Sequence, residues 1–224
     1  MKAAILLSGQ LRLALDQRVI NFLFDFLKSN FYNYEIYMSM WDINGKQKEQ
    51  LQKIYSPAKI ENEIWRDWVN KNKESIENFQ KKFDFKGDLQ LRYSTGGIMS
   101  QWYKIYKAFS LIENPFDFDV IVRCRTDISF NNVNIKNLDF NNFWVEDLYL
   151  DDYGYRDYMF FSNPKNMGNV CNLFNNLPSL DLKSNTIHPH SSYHFVLAEH
   201  VLRVHSDNYC KADIIPELKT KKIR

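Results

Sequence analysis

Three side chains at alternate positions, Arg123, Arg125 and Asp127, have the types and spacing to hold a charged ligand between them. They follow the β-branched run Val120-Ile121-Val122, within the stretch from Asp117 to Ile128 and after the turn-prone residues Pro115 and Asp119. That run predicts a strand buried on both faces inside a largely parallel sheet. Side chains of a strand repeat every second residue, so all three are expected on one face, with Asp127 at or just past the carboxyl end. Open α/β sheets bind their ligands at that end. Two guanidinium groups beside one carboxylate suit a diphosphate and a divalent cation held together. They suit equally a structural arginine–carboxylate network at a strand end, and spacing alone leaves both readings open.

The elements that must position this cluster are legible on either side of it. Ala3 to Leu7 is continuously apolar and stops at Ser8-Gly9-Gln10, which predicts a central strand running into a loop that needs a small residue and is itself a candidate ligand contact. From Asp16 to Leu27 the residues Val19, Ile20, Leu23, Phe24, Phe26 and Leu27 recur at helical spacing. Glu35 to Met40 then alternates as a second strand and ends at Trp41-Asp42. Such a strand–helix–strand unit crosses over right-handed and brings both strand ends to one rim. Residues 44–88 are rich in lysine and glutamate and predict one or two surface helices, carrying Trp65, Trp68, Val69, Ile76 and Phe79, after a short strand or turn near Ala58 to Glu61.

A turn at Ser94 to Gly97 precedes a helix with Ile98, Trp102, Ile105, Tyr106, Phe109 and Ile112 on one face, stopped by Pro115. Beyond the charged strand, Asn-rich patches at 131–142 and 172–176 suggest loops. Phe143 to Leu150 and Tyr158 to Ser162 read as strands flanking the acidic turn 151–157. Asn166 to Leu177 and His194 to His205 read as helices. The alternation predicts a single α/β domain.

Composition limits the function classes. The 224 residues are 45% hydrophobic and 16% aromatic, with 17 Phe and 13 Tyr, so the chain can bury a large core. Lys plus Arg is 29 against 27 for Asp plus Glu, and a net charge of +2 gives no footing for a nucleic-acid partner. Any bound anion must be held locally. Cys124, Cys171 and Cys210 are widely spaced with no CxxC pair, which points to reduced thiols in a cytoplasmic-type compartment. The apolar start, KAAILLSG, is too short for a membrane span, and the basic tail KTKKIR suggests a solvated end or at most a weak membrane-surface contact. Ser8 lacks a GxSxG elbow, and GGIMS lacks a phosphate-loop lysine, so hydrolase and kinase chemistry are unsupported.

Taken in order, SGQLR, MSMWD, GGIMSQWYKIYKAFSLI, VIVRCRTDI and DYMFFSNPKNM resemble the small GT-A-type glycosyltransferases of surface-polysaccharide and viral glycan synthesis, over about residues 3–205. The resemblance implies an α/β, single-domain, GT-A-like (Rossmann-like) fold with a mixed, mostly parallel sheet flanked by helices. Residues 1–130 would form a nucleotide-sugar-binding half and 131–224 an acceptor half. The implied activity is transfer of a hexosyl-type sugar from a nucleotide-sugar donor to a glycan or polysaccharide acceptor.

In that family a DxD-type carboxylate pair holds a divalent metal on the donor diphosphate, whereas here the matching place is Arg125-Thr126-Asp127, with one carboxylate. The resemblance thus implies Mn²⁺ or Mg²⁺ on Asp127 with His205, the late histidine of the chain, while Arg123 and Arg125 offer neutralisation of the diphosphate without metal. It also implies donor contacts from Ser8, Gly9, Gln10, Arg12, Trp41, Asp42 and Gln101, with Tyr103 near the start of the same helix as Gln101. Trp41 would stack on the base; packing in the core is the alternative. Asp157, ahead of an aromatic strand, is the expected general base, with Asp151, Asp152 and Glu199 as alternatives. His188, His190, His194 and His200 lack an HExxH pattern and read as structural or surface histidines. The competing class is a non-catalytic nucleotide- or carbohydrate-binding domain that keeps this fold, favoured by the missing second carboxylate.

Overall fold

A computed structural model describes residues 1–83, 95–130, 134–146, 159–177, 214–215 and 220–222. The first apolar run forms strand β1 (Lys2–Gln10), followed by α1 (Gln17–Asn30) and β2 (Asn33–Trp41). Asp16 begins α1 as its N-cap, its carboxylate accepting from the backbone N–H of Arg18. The lysine-rich segment folds as α2 (Gly45–Tyr55), β3 (Lys59–Glu63), α3 (Trp65–Lys71) and α4 (Lys73–Phe83). An additional helix therefore precedes the short strand expected there. A reciprocal capping box of Asn44 and Gln47 starts α2.

Next come α5 (Thr95–Ser110), β4 (Val120–Cys124), β5 (Ile128–Phe130), β6 (Trp144–Glu146), β7 (Met159–Ser162), α6 (Pro164–Cys171), α7 (Leu173–Asn176), β8 (Ile214–Ile215) and β9 (Thr220–Lys222). The helix expected over Asn166 to Leu177 is found as α6 and α7, and α7 covers most of the Asn-rich stretch 172–176 that also suggested a loop.

Seven strands form one mixed sheet in the order β3-β2-β1-β4-β7-β6-β8, and β5 pairs with β9 separately. The strands β3, β2, β1 and β4 are mutually parallel, whereas β7 runs antiparallel between β4 and β6. The fold is thus the mixed, mostly parallel sheet flanked by helices that the sequence predicts. In β1 the buried run extends from Ala3 to Ser8, and pairing with β2 continues through Ser8↔Ser39, Gly9↔Met40 and Gln10↔Trp41. Residues 8–10, expected as a loop, are therefore strand, because their backbone groups are satisfied by the neighbouring ladder.

Alternation divides the core. Ala3, Ile5 and Leu7 meet Leu23, Phe26 and Leu27 of α1 and Leu51 and Tyr55 of α2 on one face. Ala4, Leu6, Tyr37 and Ile121 meet Trp102, Ile105 and Ala108 of α5 on the other, together with Met167 and Val170 of α6. Each large side chain enclosed this way contributes about 1.5–3 kcal/mol of transfer free energy.

Candidate functional site

The strand order determines where a ligand would sit. From β1 the chain goes outward to β2 and β3 and only later returns to β4 on the opposite side of β1. This reversal makes the carboxyl ends of β1 and β4 the topological switch point of the sheet, where α/β folds form their ligand crevice. The two chain segments leaving those ends are tied together there. Arg12, just after β1, donates from Nη1 to Oδ2 of Asp127 at 2.6 Å. Arg125 forks the same carboxylate, Nε to Oδ1 at 2.9 Å and Nη2 to Oδ2 at 2.8 Å. Between them, the Thr126 hydroxyl donates to the backbone carbonyl of Gln10 at 2.9 Å.

Local backbone geometry makes this possible. β4 stops at Cys124, so residues 125–127 turn rather than continue the strand, and Arg125 can fold back on Asp127 two positions later. Arg12 sits at φ 40, in the left-handed region, within a tight turn whose Ala14 N–H bonds the Leu11 carbonyl at 2.8 Å. Asp127 is almost wholly enclosed at 3% side-chain exposure, Arg125 is at 15%, and Arg12 reaches solvent at 41%. Among the described residues two guanidinium groups meet at this one carboxylate. Planar N–H forks match carboxylate and phosphate oxygens, so the mouth of the crevice suits an anion.

The predicted site residues divide around this bridge. Arg12, Arg125 and Asp127 are brought together. Ser8 lies at the same end of β1; its hydroxyl is buried and has no hydrogen-bond partner among the described residues. Gly9 has φ 115, a conformation side-chain-bearing residues rarely adopt, and the space where its Cβ would be is open. Gln10 is exposed at the strand end.

Arg123 departs from the expectation of a shared face. It lies inside β4, 1% exposed, with its guanidinium over the Phe160 ring at 5.5 Å from the centroid, on the sheet face that also carries Ile121. Trp41 is likewise core rather than a stacking platform. It is 3% exposed, stacked with Tyr103 at 5.8 Å, tilted against Trp68 at 5.7 Å and capped by the Lys104 ammonium at 4.2 Å. Asp42, exposed at φ 56, uses its carboxylate to accept from the Trp65 N–H at 2.9 Å and so starts α3. Gln101 is half-buried in the second turn of α5.

Sequence reasoning missed a second charged centre, between α5 and β3. Lys104 of α5 is fully buried, with its Nζ 3.2 Å from Glu61 and 2.8 Å from Glu63. Ser39 donates to Glu61, Lys107 lies 3.3 Å from it, and the Tyr103 hydroxyl donates to Glu63 at 3.0 Å. The signal was available, since Glu61 and Glu63 alternate on β3 and must share a face, here the one covered by α5. Burial alone would raise the Glu63 carboxyl, but hydrogen bonding and charge from Lys104 outweigh it and hold Glu63 below its ordinary value. Burial, then the bond to Glu63, pushes the Tyr103 hydroxyl up.

The Mn²⁺ or Mg²⁺ site expected on Asp127 and His205 is seen from the Asp127 side alone, because His205 lies outside the described residues. The Asp127 oxygens already accept three charge-assisted hydrogen bonds from two cations, and the described residues contain no group of three His, Cys, Asp or Glu able to hold a metal. Asp157, its alternatives Asp151, Asp152 and Glu199, the five histidines including His205, and the helix expected at 194–205 all lie outside the described residues. Cys124 and Cys171 are free and buried, and burial pushes both thiols up, away from the nucleophilic thiolate. Among the described residues no helix is long and apolar enough to cross a membrane.

Fold and site together define an α/β protein with an arginine–carboxylate bridge at the switch point of its sheet. The solved structures it is similar to include glycosyltransferases. Mouse xyloside xylosyltransferase 1, in its apo form, matches over 92% of this chain and 76% of its own at 10% identity and a TM-score of 0.43. The apo glycosyltransferase GlyE of Streptococcus pneumoniae TIGR4 matches over 92% of this chain at 11% identity and a TM-score of 0.46; the chain spans only 44% of that protein. An active-site mutant of LgtC matches over 98% of this chain and 86% of its own at 8% identity and a TM-score of 0.49. No family model matches the chain, and no curated protein matches it significantly.

Proposed function

We propose that the chain is a glycosyltransferase that moves a hexosyl-type sugar from a nucleotide-sugar donor to a glycan or polysaccharide acceptor. The observation that carries the reading is the Arg12–Asp127–Arg125 bridge across the β1–β4 switch point, a place where α/β sheets bind ligands and a charge pattern that suits a diphosphate. The ordered sequence resemblance from SGQLR to DYMFFSNPKNM supports the same assignment. The donor would lie on residues 1–130 and the acceptor on 131–224.

In the reaction the bond between the anomeric carbon and the diphosphate oxygen breaks, and one to the acceptor hydroxyl oxygen forms. Asp157 is proposed to take the hydroxyl proton, and the guanidinium groups of Arg12 and Arg125 to stabilise the charge arriving on the leaving diphosphate. The buried thiols accord with a reducing, cytoplasmic location, which belongs to the same proposal.

A thermal-shift panel of nucleotide-sugars tests the reading, because a ligand binding only the folded state raises its unfolding temperature by mass action. One donor is expected to shift the protein and to release its nucleoside diphosphate on incubation with glycan acceptors. A shift without release, in the presence or absence of acceptor, would instead support the non-catalytic binding domain. No shift with any donor would remove both.

A further inference from the structure

We propose that the crevice holds the donor diphosphate without a divalent cation, on Arg12 and Arg125, and that Asp127 acts as a positioning residue for those two arginines rather than as a metal ligand. The inference rests on the nucleotide-sugar reading of the site and adds how that site recognises phosphate. A carboxylate offers about four acceptor positions. Three at Asp127 are taken by N–H donors at 2.6, 2.9 and 2.8 Å, and its side chain is only 3% exposed. A divalent cation entering there would have to displace one guanidinium and would be repelled by the other.

The same geometry favours an anion. Arg12 commits a single N–H to Asp127 among the described residues, out of the five its guanidinium carries, and it is the most exposed member of the cluster. Its remaining donors are available to phosphate oxygens while the Asp127 bond anchors one end of the guanidinium. Arg125, gripped through both Nε and Nη2, is held more rigidly. The Thr126–Gln10 hydrogen bond holds the two loop origins together, so both arginines face one crevice instead of two independent loops. The positive charge that a DxD site receives from its metal would come here from the arginines themselves.

Calorimetry on the full chain with inorganic pyrophosphate and with the diphosphates of uridine, guanosine, cytidine and thymidine, each in EDTA and in Mn²⁺, tests this directly. At least one nucleoside diphosphate is expected to bind in EDTA with an affinity close to that in Mn²⁺. Arg12→Gln should weaken that binding about tenfold or more with little change in unfolding temperature, as loss of a hydrogen bond to a charged group does. Asp127→Asn should change affinity by the same factor in both solutions, whereas loss of a metal ligand would act in Mn²⁺ alone. Binding that requires Mn²⁺, or an Arg12→Gln variant with unchanged affinity in EDTA, would overturn the inference and leave the glycosyltransferase reading standing. No binding of any diphosphate in either solution would overturn both.

Discussion

At the residue scale, Asp127 and Lys104 are opposite solutions to one problem, an ionic group enclosed at the carboxyl ends of the strands. Asp127 is a buried anion served by two cations, and Lys104 is a buried cation served by two anions, Glu61 and Glu63. Removing Lys104 leaves Glu63 without its ion-pair partner and Glu61 with Lys107 alone, both carboxylates being partly exposed, so Lys104→Met should destabilise the fold by about 1–2 kcal/mol near neutral pH. The sign of the pH dependence follows from Glu63, whose folded pKa lies below its ordinary 4.5. Its contribution is fully present above that value and is lost as pH falls through the folded pKa. Denaturant titrations should therefore find the gap between wild type and Lys104→Met narrowing below about pH 4.5; a gap that widens on acidification would reject the ion-pair explanation. Asp157 is tested separately. If it is the base, Asp157→Asn at saturating donor should lower the transfer rate by roughly a hundredfold or more with donor affinity retained. Weakened donor binding with an unchanged saturated rate would move Asp157 to the donor pocket and the search for a base to Asp151, Asp152 or Glu199.

At the element scale, β1 is the hinge of the site, because it pairs with β2 on one side and β4 on the other and delivers Ser8, Gly9 and Arg12 at its end. The positive φ of Gly9 lets the strand depart into the Arg12 turn. Alanine there meets no neighbour but must adopt a strained backbone, so Gly9→Ala should cost about 1–3 kcal/mol in equilibrium unfolding and weaken donor binding through Arg12. An alanine variant as stable as wild type would show that the turn does not depend on the glycine. The strands themselves were legible: Ala3–Leu7 and Val120–Val122 are unbroken apolar runs that two covered sheet faces demand. Their ends were not. Whether Ser8-Gly9-Gln10 is loop or strand depends on β2 offering partners at Ser39, Met40 and Trp41, and no local signal in β1 records that.

At the scale of the whole molecule, the same limit explains which parts of the site could be read. The residue types were visible, and so was the rim on which they gather, because a strand–helix–strand unit puts successive parallel strand ends together. The pairing was not, since Arg12 and Asp127 are 115 positions apart and meet only because β4 inserts beside β1 rather than beside β3. Arg123 does not join the bridge, because the register Leu6↔Arg123↔Phe160 places it within the sheet, and the chain turns toward Arg12 only after Cys124. Trp41 follows the core-packing alternative. An aromatic residue at a strand end suits a base, but α5 brings Tyr103 and Lys104 down upon it.

The central claim is that a nucleotide-sugar diphosphate sits at the β1–β4 switch point on the arginines held by Asp127. A crystal structure of the complex with the nucleoside diphosphate selected by the binding panel tests it most directly. The predicted result is phosphate oxygens within hydrogen-bond distance, about 2.7–3.2 Å, of both Arg12 and Arg125, with the Asp127 carboxylate still bonded to Arg125. A diphosphate bound elsewhere on the sheet, or coordinated through a metal on Asp127 with the arginines displaced, would contradict it.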